Sequence, residues 1–157
     1  MTDYGHPITF SLSLYPSVDL RRETKQLAQA AGAAGLEYLA IQDHAHNPEF
    51  LDVWTLISYL AADTDRISFF PDVADLQLRP PTILAKAAAS LSVLTGGRIA
   101  LGVGGGATAD GIAAMGGIRR NGREMVAFSD EALQIMRRTL AGGVVDSRGG
   151  QHTIGGL

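Results

Sequence analysis

The stretch Gly96-Gly97-Arg98-Ile99-Ala100-Leu101-Gly102-Val103-Gly104-Gly105-Gly106 decides the fold. An apolar run leads straight into three consecutive glycines, the sequence form of a strand that ends where the backbone must allow a close approach, as at a cofactor wall. Working outward from it, strand-like runs begin near Ile8, Tyr38, Ile67 and Ile99, about thirty residues apart, with a helix-like stretch between each pair. A strand, a crossover helix and a parallel strand need roughly 30 residues. The alternation therefore predicts a parallel sheet, with its chemistry just past the carboxyl end of each strand.

At 157 residues the chain suits a single domain spanning 1–157. Its net charge of −3 and 18% charged residues give no polyanion-binding surface, so no nucleic acid is expected as a partner. Without cysteine there are no disulfides, thiolate metal sites or thiol nucleophile. The start Met1-Thr2-Asp3-Tyr4-Gly5-His6 lacks the basic and apolar regions of a signal peptide, and the most apolar stretch, Ile83 to Leu94, is too short to span a bilayer. A cytoplasmic location with no membrane association is the expectation.

Period-2 alternation marks a strand from Ile8 to Leu14, and Asp19 is placed to cap a helix from Leu20 to Ala34 with Leu27, Ala30, Ala31 and Ala34 inward. Tyr38 to Ile41 is a short strand, and Asp52 caps the helix that follows. The third strand, from Ile67, meets Pro71, which removes a ladder donor and predicts a kink or bulge. Pro80 and Pro81 suit the start of a helix whose stripe is Ile83, Leu84, Ala87, Ala88, Leu91 and Leu94. Asn121 caps a long helix to Leu140 that turns Met125, Phe128, Ala132, Ile135 or Met136 and Leu140 to the core. Four βα units result, either half of a (β/α)8 barrel, which needs about 250 residues, or an open sheet.

Asp43 and His44 follow the second strand directly. An imidazole there is suited to proton transfer and the carboxylate to orienting it or a ligand, although the same pair serves equally to cap a helix or hold a salt bridge. His44-Ala45-His46 has the form of some metal sites, but no further ligands stand at matching spacing, so no metal is expected. Asp72 and Asp75 follow the third strand, facing the same mouth or standing as plain loop carboxylates. Gly102-x-Gly104-x-x-Ala107, with Glu124 beyond, is a loose match to a dinucleotide fingerprint placed at the wrong strand.

Several ordered segments together resemble the bacterial luciferase-like monooxygenase superfamily. They are Ala33-Ala34-Gly35-Leu36-Glu37-Tyr38, Gln42-Asp43-His44, Ala61 to Ile67, Arg79-Pro80-Pro81-Thr82-Ile83-Leu84-Ala85 and Leu94 to Gly104. The resemblance implies an α/β fold of (β/α)8 TIM-barrel type, this chain covering the first four βα units as a half-barrel. It also implies coenzyme F420, a deazaflavin, or reduced FMN across the carboxyl face, acting as oxidoreductase or monooxygenase on a small-molecule substrate.

Under that resemblance Asp43 contacts the cofactor, and His44 acts beside the reacting ring as acid or base. Asp72-Val73 marks a non-proline cis peptide at the cofactor wall, Gly105 and Gly106 form the cofactor-facing turn, and Asp75 and Asp110 supply polar contacts. Ala107 stands where sugar-phosphate dehydrogenases of the deazaflavin branch carry a catalytic glutamate, which argues against that activity. A half-barrel leaves two strand edges open, so a homo-oligomer or a complementing barrel half is the expected partner. The alternatives are a non-catalytic half-barrel and a nucleotide-binding open sheet.

Overall fold

The computed structural model describes residues 5–148 and 150–156, apart from the Arg21 side chain, so Met1 to Tyr4 of the polar start fall outside the description. Strands β1 (Ser11–Leu14), β2 (Tyr38–Ile41) and β3 (Ser68–Pro71) pair in parallel in the order β1-β2-β3. Short strand β4 (Ala74–Asp75) pairs in parallel with β5 (Val103–Gly104), and Phe69 makes a parallel bridge to Ile99. The third strand thus breaks at the kink, where the Asp72–Val73 peptide is cis, and resumes as β4 against the fourth. All four predicted strands run the same way in chain order, the arrangement of half a barrel.

Five helices accompany them among the described residues: α1 (Arg21–Ala33), α2 (Val53–Ala61), α3 (Pro81–Thr95), α4 (Ala109–Ala114) and α5 (Gly122–Leu140). Local chemistry sets their ends. The Asp52 side chain accepts from the Thr55 N–H at 2.9 Å, and Asn121 and Glu124 form a reciprocal capping box that starts α5. Gly96 closes α3 in the left-handed conformation, φ 68°. Asp19 does not cap α1: Leu20 holds the N-cap position with no side-chain bond, and Thr24 donates instead to the Leu20 carbonyl at 2.7 Å. That bond lets Thr24 sit inside with Ala28 and Ala31, which turns Leu27 out to 41% exposure, contrary to the face expected from periodicity.

Leu39, Ile41, Ile57, Leu60, Phe69 and Leu84 fill the centre of the core between sheet and helices. Helix α5 buries Phe128, Ala132, Ile135 and Met136, but Leu140 is exposed, as are Ile83 and Leu94 of α3. These helices are apolar on more than one flank, and single-face periodicity does not tell which flank this chain covers. Ile8 and Phe10, ahead of β1, are also exposed, so the β1 side of the sheet is uncovered.

Arg98 locks the end of the sheet opposite the strands' carboxyl ends. Its guanidinium donates to the carbonyls of Thr95, Ile67 and Ala61 at 3.1, 2.9 and 2.9 Å, joining α2, α3 and the entry to β3. No helix among the described residues is long and apolar enough to cross a membrane.

Candidate functional site

The carboxyl ends of β2, β4 and β5 converge on one cleft of about 140 Å³. Asp43, His44, Asp72, Val73, Asp75 and Gly106 line it together. The backbone brings them there: Asp72 N–H donates to the Ile41 carbonyl at 2.7 Å, which sets the kink beside the Asp43 loop, and Leu76 N–H donates to Gly104 O at 3.0 Å.

Asp43 is the buried charge of the cleft, with its side chain only 2% exposed. One oxygen accepts the Asp75 backbone N–H at 3.2 Å, and the Arg79 guanidinium stands 3.9 Å away while closely paired with Asp52. Burial raises the Asp43 carboxyl above its ordinary value, and the Asp75 N–H and Arg79 only partly offset that. Asp52 goes the other way: burial raises it, but bonds from Thr55 and Arg79 outweigh the effect and leave it low. His44 packs edge-on against His46, ring centroids 5.6 Å apart, and lies 6.1 Å from the Phe50 ring.

The glycines have reasons within the chain as well as toward the cleft. A Cβ on Gly102 would strike the Pro71 carbonyl, one on Gly104 would sit 2.6 Å from Val73, and one on Gly105 would sit 2.6 Å from Met125 of α5. Gly106, at φ 92°, would bring a Cβ to 2.9 Å from the Asp75 carboxylate. Gly105 is therefore packed toward α5 and does not line the cleft, although its carbonyl accepts from Gln77 at 2.9 Å. Asp110 is exposed, pairs closely with Arg119 and stands outside the cleft.

His46, weighed in the sequence only as a metal ligand, lines the cleft, and its ring leaves room only for glycine at Gly111. Among the described residues no group of three or more histidine or acidic side chains is gathered to hold a metal. Thr108 and Ile112 of the α4 segment close one side. Arg79 and Gln77 were not legible as site residues; the run Arg79-Pro80-Pro81 was the one available signal.

Parallel strands alternating with helices, with a carboxylate and an imidazole just after the second strand, define a half-barrel of the (β/α)8 α/β class. The chain belongs to the luciferase-like monooxygenase family, whose family model matches residues 4–156. A Mycobacterium tuberculosis protein of uncharacterised function is 30% identical over 150 residues, covering 82% of this chain and 51% of its own length. The 5,10-methylenetetrahydromethanopterin reductase of Methanopyrus kandleri is 31% identical over 99 residues, covering 63% of this chain and 27% of its own.

Among solved structures, the coenzyme F420 dependent tetrahydromethanopterin reductase of Methanopyrus kandleri superposes with TM-score 0.79 at 23% identity, over 96% of this chain and 45% of that one. The oxygenating constituent of 3,6-diketocamphane monooxygenase from Pseudomonas putida, in complex with FMN, gives 0.82 at 22% identity, over 96% and 44%. These two likenesses carry the fold. The chain spans about half the length of the curated relatives it matches first.

Proposed function

We propose that this chain supplies the ring-binding half of a luciferase-like oxidoreductase, which uses coenzyme F420 or reduced FMN on a small organic substrate. The observation that carries the reading is the meeting of Asp43, His44, Asp72 and Val73 at one cleft past the strands' carboxyl ends. The lining fits such a group: the buried Asp43 carboxylate would accept a ring N–H, Val73 and Ile112 would meet a flat apolar face, and Asp72 and Asp75 would offer polar contacts. At about 140 Å³ the cleft is one wall of a site, since whole ligand pockets run to about 300–1,000 Å³. A further barrel half, in the same polypeptide or in a partner, supplies the remainder and the phosphate grip.

A bound deazaflavin supplies hydride transfer, and a reduced flavin supplies that or oxygen activation. Asp43 orients the ring, and its burial makes an unpaired negative charge costly, which favours a ligand that donates to it. His44 takes or returns a proton beside the ring, and His46 and Phe50 hold its imidazole edge-on. Titration of this chain joined with its complementing barrel half, with F420 and with reduced FMN, followed by fluorescence and absorbance, tests this reading. Saturable uptake of one of them, weakened by Asp43→Ala, supports it, whereas uptake of neither contradicts it.

A further inference from the structure

The last described segment folds back on α5 and borders a second, open cavity. Ser147 and Ile154 exchange backbone hydrogen bonds of 2.9 and 2.8 Å, while Glu131 of α5 accepts from the Ser147 hydroxyl at 2.8 Å and from the Gln151 N–H at 2.5 Å. Burial pushes the Glu131 carboxyl up, but these bonds outweigh it and hold it low, the sign of an anchored carboxylate. The anchor lays His152 on Phe128, ring centroids 4.4 Å apart, and Arg120 sets its guanidinium 3.9 Å from the same ring. Between this segment, the start of α3 and the turn at Gly116 to Ile118 lies a cavity of about 330 Å³.

Two observations give that cavity a preference. Half-buried Arg120 makes no ion pair among the described residues: its hydrogen bonds go to the uncharged Gln77 side chain at 2.6 Å and the Ile118 carbonyl at 3.5 Å. The His152 Nε2 is sealed from solvent and has no hydrogen-bond partner. Withdrawn polar groups are ordinarily satisfied, and a cation removed from water without a counter-charge is costly. The rest of the lining carries the apolar side chains of Pro80, Ile118 and Ile154, with hydroxyls from Thr82 and Thr153.

We propose that this cavity binds a small organic anion, its carboxylate against Arg120 and its apolar body against Pro80, Ile118 and Ile154. The volume stands at the lower end of ligand pockets, the size of a single-ring acid. Arg120 and Gln77 carry the site's contact to the cleft, because the Gln77 N–H donates to the cleft-lining Asp75 carboxylate at 2.8 Å. The site is independent of the cofactor reading and stands if the cleft binds no flavin.

Benzoate titrated into the full chain, followed by amide shifts in two-dimensional NMR, tests the proposal. Saturable shifts at Gln77, Arg120, Phe128 and His152 are expected, with affinity at least tenfold weaker in Arg120→Gln and partly kept in Arg120→Lys. Benzyl alcohol and inorganic phosphate are the comparison ligands on the unaltered chain, so the test stands even where a variant fails to fold. Equal binding of benzyl alcohol overturns the charge requirement, equal binding of phosphate overturns the organic body, and absence of benzoate shifts overturns the site.

Discussion

The Asp43 carboxylate, 2% exposed, accepts the backbone N–H of Asp75 at 3.2 Å, so the loop after the second strand is fastened to the resumed third strand at the mouth of the sheet. The contact links residues 32 positions apart and joins the two loops that the cleft needs side by side.

Asp43 and Asp52 give opposite pH signatures. The folded-state value of Asp43 is raised above its ordinary 3.8, so the native state holds its proton longer than the unfolded chain and stability falls as pH rises through the raised value. Asp43→Asn removes that penalty: melting temperature rises at neutral pH, and the gain vanishes below about pH 4. Asp52 is lowered from 3.8, so its contribution is present above that value and is lost as pH falls through the folded one. Asp52→Asn therefore lowers the melting temperature at neutral pH and has no effect in strong acid. Thermal melts of both variants across pH 2–8 check the signs.

Arg98→Ala unfolds the end of the sheet away from the cleft. Three carbonyls lose a charged donor, at a cost of about 2–4 kcal/mol, read as a shift in the urea midpoint. Arg98→Lys recovers only part, because an ammonium does not match a fork spread over three carbonyls.

Asn121→Ala removes one half of the capping box of α5 and costs about 1 kcal/mol by the same measurement. Gly104→Ala drives a Cβ to 2.6 Å from Val73 and costs about 1–3 kcal/mol, while Val73→Ala in the same chain relieves most of it.

Under the proposed function, His44→Ala in this chain joined with its complementing barrel half leaves cofactor affinity within a few-fold and lowers turnover by about 10²–10⁴, the range of a proton-transfer group. Steady-state kinetics with a direct binding titration check it, and unchanged turnover makes His44 structural.

The order and direction of the strands were legible because each βα unit announces itself by an apolar run, a breaker and a helical pattern, with side-chain caps at Asp52 and Asn121. The kink after the third strand was legible from Pro71. Helix faces were less so: Leu27, Ile83, Leu94 and Leu140 lie on flanks that this chain leaves uncovered, and Thr24 is buried because a backbone bond satisfies its hydroxyl. In the cleft, Asp43, His44 and Asp72 follow from their position after strands. Arg79 and Gln77, which stand behind the cleft, do not, since their partners, Asp52 and the Gly105 carbonyl, lie 27 and 28 residues away. Gly105 illustrates the limit of a glycine pattern, because a close approach by Met125 leaves the same mark as a close approach by a ligand.

Amide shift mapping with F420 or reduced FMN tests most directly whether the ends of the second, third and fourth strands form one ring-binding mouth. Saturable shifts clustered at Asp43, His44, Val73 and Gly106 are expected, with Gly32, Thr64 and Arg66 at the opposite end unmoved. Shifts clustered at that opposite end, or spread evenly over the chain, would contradict it.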